Sequence, residues 1–206
     1  GTSPTYNTTV TVSAVNDAPV LADTALTLTV TEDAGVPSGA VGSLISTFTG
    51  GITDVDSGAS KGLAITGSNQ TNGTWYYTRN GGTTWTAVGT VSNTSALLLA
   101  DNASTRLYFA PNANYNGTST AALTVRAWDQ TSGTAGTKVS TASTGGITAF
   151  SSATDTVNVT VTAVNDASTI TSLSGDSRAY SEGAGAVVIE SGNALVADVD
   201  STNFDT

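Results

Sequence analysis

Apolar and polar residues alternate one for one along much of this chain. Leu26, Leu28 and Val30 are separated by threonines, and the same rhythm sets Leu107 with Phe109, Leu123 with Val125 and Ala127, and Val157 with Val159 and Val161. A period of two places the apolar set of each segment on one face of a strand. Val10 and Val12 repeat the pattern near the start. Residues 74–79 and 83–88 flank Asn80-Gly81-Gly82, which predicts a hairpin whose aromatics Trp75, Tyr77 and Trp85 cover one sheet face. Strands at short intervals, broken by Gly and Asn turns, predict an all-β chain folded as an antiparallel β-sandwich. Residues 130–154 do not fit: Val139, Ile147 and Phe150 are their only large apolar residues. A connection this long is functional, mobile, or hides a further hairpin.

A second pattern lies on top of the first. Residues 10–18 read VTVSAVNDA and residues 159–167 read VTVTAVNDA. Glu32 follows the first copy and Glu182 the second, and Asp54-Val55-Asp56-Ser57 is echoed by Asp198-Val199-Asp200-Ser201. A repeat of that length is a whole domain rather than a solenoid unit. The expected organisation is the last strand of one repeat (1–15), a complete repeat (16–164) and the opening of the next (165–206).

Composition narrows what such a chain can do. Thr makes up roughly a fifth of it, and Thr and Val favour strands. Six Lys and Arg face sixteen Asp and Glu, a formal charge of -10, which excludes a basic nucleic-acid surface. Cys and His are both absent, so zinc held by those ligands, thiol catalysis and Ser-His-Asp triads are excluded. No apolar run reaches the ~20 residues of a membrane helix, so no membrane insertion is expected. Methionine is missing even at residue 1, which suggests a processed or excised piece.

The acidic residues fall at particular places. Asn16-Asp17 and Asn165-Asp166 lie in the two linkers, and Asp-x-Asp pairs follow at 54/56 and 198/200. Asp129 ends a predicted strand, and Glu32 sits just past another. Calcium takes six to eight oxygens from carboxylates, amide and main-chain carbonyls and water, which is what Asp-x-Asp and Asn-Asp turns offer. Without His or Cys, calcium is the natural ion. Carboxylates gathered this way repel one another unless a cation joins them. The competing reading is that each acid caps its own turn.

The order Val15-Asn16-Asp17-Ala18-Pro19, Glu32, Asp54-x-Asp56 and Ala127-x-Asp129, with its second copy, resembles the cadherin-like calcium-binding tandem repeats of large bacterial surface adhesins. Asn72-Gly73-Thr74-Trp75 and the stretch from Phe109-Ala110-Pro111-Asn112 to Asn116-Gly117 are similar to the same bacterial repeats. The resemblance covers nearly the whole chain. It implies Ig-like or cadherin-like sandwiches in tandem array, with Ca2+ between neighbouring repeats. Carried over, Asn16, Asp17, Asp54, Asp56 and Asp129 would serve the first junction. Glu32, Asn165, Asp166, Asp198 and Asp200 would serve the second, and Glu182 a third. The chain has Ala14 and Ala163 where eukaryotic cadherins place an extra Asp, Ser168 where its own first linker has Pro19, and no Asp-Arg-Glu triplet. One or two ions per junction are therefore expected.

The function implied is a calcium-stiffened stalk repeat on the cell surface, outside the cell, serving adhesion and biofilm formation, and not an enzyme. Its partners would be neighbouring repeats of the same chain. Two alternatives stand beside it. One is a glycan-binding module in which Trp75, Tyr76, Trp85 or Tyr115 stack on surface sugars. The other is a filament or sheath subunit whose end segments are completed by like chains.

Overall fold

Where the sequence alternates between Gly1 and Thr162, strands form, with residues 1–15 as the exception. A computed structural model describes residues 1–172, 177–187 and 194–200. The chain divides into two compact units, Gly1–Thr162 and Ala163–Thr206. The first holds β1 (Val20–Leu21), β2 (Leu26–Thr31), β3 (Ser43–Leu44), β4 (Ile52–Thr53), β5 (Gly62–Ser68) and β6 (Gly73–Thr78). There follow β7 (Thr86–Ala87), β8 (Ala96–Ala100), β9 (Arg106–Pro111), β10 (Gly117–Trp128), β11 (Lys138–Val139) and β12 (Asp155–Thr162). The second unit holds β13 (Thr169–Thr171) and β14 (Leu195–Ala197). Among the described residues there is no α-helix, only a 3-10 turn over Ile45–Phe48.

The first unit is a sandwich. One sheet has the order β11-β8-β5-β10-β12-β2, the other β3-β9-β6-β7, and β1 pairs with β4 beside them. Leu63, Ile65, Leu97, Leu99, Val125, Val157 and Val159 of the larger sheet meet Trp75, Leu107 and Phe109 of the smaller in one buried cluster. Of these, Leu107, Phe109, Val125, Val157 and Val159 are inward residues that period two selects. Trp75 packs tilted on Phe109 with ring centroids 5.1 Å apart.

Three features depart from the sequence expectation. The pairing is not wholly antiparallel, because β2 runs parallel to β12 in the register Leu26↔Val157 to Thr31↔Thr162. The chain's first pairing segment is split: β1 pairs with β4, and β2 then crosses to the last strand of the unit. Second, residues 1–15 form no strand, and Val10 and Val12 are 80% and 87% exposed. Alternation alone cannot hold a strand when no neighbouring strand accepts its backbone hydrogen bonds. Third, the expected hairpin forms, with Tyr76↔Ala87 and Tyr77↔Thr86 paired, but its aromatics divide between faces. Trp75 is fully buried in the core. Trp85 lies on the outer face, edge-on to Tyr108, and its Nε1 donates to Gly39 O at 3.1 Å.

Residues 130–154 are a folded excursion over the outer face of the larger sheet. They supply β11, which pairs with β8, and they return along the end of β10 through the Trp128↔Phe150 bridge. Trp128, Phe150, Leu98, Ala64, Ala96, Ala100 and Ala149 form a second buried cluster beneath this cover. Gly62 permits it, since a Cβ there would stand 2.7 Å from the Trp128 ring. Arg126 Nη1 fastens the return by donating to the carbonyls of Ser151 at 3.1 Å and Ser152 at 2.6 Å.

One residue of β10 is strained. The ladder to β12 shifts register between Ser119 and Leu123, and exposed Ala121 there has φ +47. A Cβ in the left-handed region costs about 1–2 kcal/mol, part of which glycine returns through its freer unfolded state. Ala121→Gly is expected to stabilise the protein by about 0.5–1 kcal/mol in urea unfolding, with the m-value unchanged.

Candidate functional site

The first linker is built onto the unit that follows it. Asp17 N donates to Asp56 Oδ2 at 2.8 Å, and Asp56 N donates to Asp54 Oδ1 at 2.9 Å. This chain of bonds exists because β1 and β4 pair in the register Val20↔Thr53, which brings the residues before β1 alongside those after β4. Next to it, Asn16 Nδ2 donates to Asp129 Oδ2 at 2.9 Å. Asp129, at the end of β10, is 3% exposed, and its Oδ1 also accepts from Thr131 N at 2.8 Å and Thr131 Oγ1 at 2.6 Å. Five of the sequence candidates, Asn16, Asp17, Asp54, Asp56 and Asp129, are therefore brought together in two hydrogen-bonded groups joined through Asn16-Asp17.

The donor set is all oxygen, as a hard cation requires. The second carboxylate oxygen of Asp54, Oδ2, is buried without a hydrogen-bond partner. Leaving a buried carboxylate oxygen unsatisfied costs about 1–3 kcal/mol or more, and a bound cation would remove that cost. Lys61 lines the same shallow hollow as Asp54 and Asp56. Among the described residues, no group of three or more carboxylates already stands at metal-holding spacing. Binding would need the Asn16 amide to turn its oxygen inward and the carboxylates to close.

The second linker repeats the two bonds between the linker Asp and the Asp-x-Asp turn. Asp166 N donates to Asp200 Oδ2, and Asp200 N donates to Asp198 Oδ1 at 2.9 Å. β13 and β14 pair as Thr169↔Ala197, so the strand start three residues after the linker Asp faces the residue just before the Asp-x-Asp, as in the first unit. Asn165 differs: its Nδ2 donates to Asp166 O at 2.8 Å.

Glu32 stands apart from the first group. It follows β2, is 2% exposed, and Oε2 accepts from Asn116 Nδ2 at 3.2 Å. Its backbone N–H donates to Thr162 O at 2.9 Å, which holds it at the end of the β2–β12 ladder. Glu182 lies exposed in the second unit. Asn102, beside Asp101, caps its own turn through Ser104 N and Thr105 N, both at 2.8 Å.

Several contributors carry no motif. Thr131 and Asn116 orient the acids, and the carbonyls of Gly146, Ile147 and Thr148 reach the linker from the excursion. Asp155 is a further buried acid, 3% exposed, but it accepts from Thr24 N at 3.1 Å and Thr24 Oγ1 at 2.8 Å and ties β12 to the β1–β2 bend. The spacing Asp129-x-Thr131 was a readable signal, because Asp and Thr two apart form local side-chain turns. A backbone carbonyl leaves no such signal.

Comparison with protein-family models, with curated proteins and with solved structures finds no match.

Proposed function

We propose that this chain is a calcium-binding, cadherin-like stalk segment of a surface adhesin, in which ions held at the Asn-Asp linkers stiffen a tandem array outside the cell. The observation that carries the proposal is the duplicated hydrogen-bond chain. Linker Asp N–H to the second Asp, and second Asp N–H to the first, recur in both units in the same strand register. The recurrence of both bonds in one register marks these acids as a set that works together. The unpartnered Asp54 Oδ2 adds to it.

In this reading Asn16, Asp17, Asp54, Asp56 and Asp129 hold calcium at the first linker, and Asn165, Asp166, Asp198 and Asp200 hold it at the second. The ion supplies a charge that all these oxygens can share. The chain's own part is to fix the linker against the Asp-x-Asp turn. Neutralising acids on a chain of net charge -10 also relieves self-repulsion. The glycan-stacking alternative loses its strongest residue, because Trp75 is fully buried, and Tyr115 packs against the core with its hydroxyl 3.1 Å from Ser119 Oγ.

Titration calorimetry tests the proposal. Calcium is expected to bind saturably with a dissociation constant between about 10⁻⁶ and 10⁻³ M, and magnesium much more weakly, since it demands a tighter octahedral shell. Absence of calcium heat, or equal binding of magnesium, would count against it.

A further inference from the structure

We infer that the turn at residues 145–148, at the far end of the 130–154 excursion, is a cation-independent latch that fixes the course of the first linker. The inference builds on the reading of that linker as a calcium site, and assigns its positioning to a different part of the chain. Ala18 N donates to Gly146 O at 2.8 Å. Asn16 Nδ2, besides its bond to Asp129, reaches Thr148 O at 3.3 Å and Ile147 O at 3.5 Å. The linker is thus held on both sides of Asp17 by neutral carbonyls, which need no ion.

The turn is itself well fixed. Gly145 N donates to Phe150 O at 2.8 Å, Thr148 N to Gly145 O at 3.1 Å, and Thr148 Oγ1 to Gly145 O at 2.9 Å. Phe150 and Ala149 anchor it in the outer cluster, and Asp129 N donates to Ala149 O at 3.2 Å. Ile147 is 71% exposed, so packing of that side chain does not shape the turn. Its shape depends on two successive left-handed residues, Gly145 at φ +70 and Gly146 at φ +58. The Ala18–Gly146 bond survives ion binding, so a linker pinned there loses less freedom when an ion binds, while the Asn16 amide exchanges its carbonyl contacts for the ion.

Gly146 allows a clean test. A Cβ there meets nothing within 4 Å, so a substitution acts through backbone conformation alone. Valine strongly resists φ near +60°, whereas asparagine tolerates it. Amide hydrogen exchange is followed on the whole chain in chelator and in calcium. In chelator, the Ala18 amide of the unmodified protein is expected to be protected. Gly146→Val should speed its exchange by about tenfold, while Gly146→Asn leaves it slow and the β10 and β12 amides stay protected in both. An Ala18 amide that exchanges freely in chelator and is protected only by calcium would overturn the latch and leave the calcium reading standing. Protection in chelator that calcium changes nowhere in the chain would keep the latch and sink the calcium reading. A Gly146→Val protein with Ala18 as slow as before would overturn the latch.

Discussion

Trp128→Ala is expected to cost about 3–5 kcal/mol, the range for truncating a fully buried tryptophan. In a unit of this size that lowers the melting temperature by about 10 °C. The physical reason is local. Trp128 is 2% exposed, donates from Nε1 to Ser132 O at 2.7 Å, and is the largest residue of the outer cluster. The inner core is a separate cluster and does not include it. The sandwich should therefore still fold, while the excursion loses its seat. Asp129 follows Trp128 directly, and the 145–148 turn hangs from Phe150, so linker protection and calcium affinity should fall with it. Trp128→Phe keeps most of the buried area and should cost less than half as much. Urea unfolding of both variants, read with calcium titration, checks the pair. A Trp128→Ala protein of unchanged stability would mean that the excursion does not depend on this face.

Asp54→Asn with Asp56→Asn is the second large effect, and its sign should depend on calcium. Asparagine keeps a side-chain oxygen to accept from Asp56 N and Asp17 N, so the β1–β4 end stays shaped. It removes two negative charges and puts a neutral amide NH2 in place of the buried, unpartnered Asp54 Oδ2. In chelator the double variant should melt at or above the unmodified protein. In saturating calcium it should lack the gain at the first linker, which mass action sets at about 2.7–4.1 kcal/mol for ligand at 100 to 1,000 times its dissociation constant. A purely structural role for these acids predicts the reverse: the variant would be weaker in chelator, by an amount calcium does not change.

How much of this was legible in the sequence depends on which atoms do the work. Side chains with a period leave a record. The inward sets of β2, β9, β10 and β12 were readable by alternation, and the two Asn-Asp linkers with their Asp-x-Asp partners by repetition. β8 was not, because all five of its residues, Ala96–Ala100, are buried, so no alternation survives. Its second face is covered by the excursion, which is held by backbone bonds such as Gly136 N to Leu98 O at 2.7 Å and Leu98 N to Thr137 O at 3.1 Å. Such bonds need no particular side chain. The Gly146 carbonyl that holds Ala18 was hidden for the same reason. Val10 and Val12 carry a strand pattern, and no described strand of this chain pairs with it. Trp85 was misplaced because alternation was carried straight through the hairpin, whereas Tyr76 and Tyr108 pair on the outer face and Trp85 packs there.

A calcium site at the repeated linker motif must stabilise the folded chain when the ion is present. The deciding experiment is thermal unfolding of the whole chain in calcium at about 100 times its dissociation constant or more, in magnesium at the same concentration, and in chelator. The melting temperature is expected to be several degrees higher in calcium than in chelator, with little or no rise in magnesium and loss of the first-linker part of the rise in the Asp54→Asn, Asp56→Asn protein. Equal melting temperatures in calcium and chelator would contradict it, and the acids of both linkers would then be turn-capping groups of a plain β-sandwich.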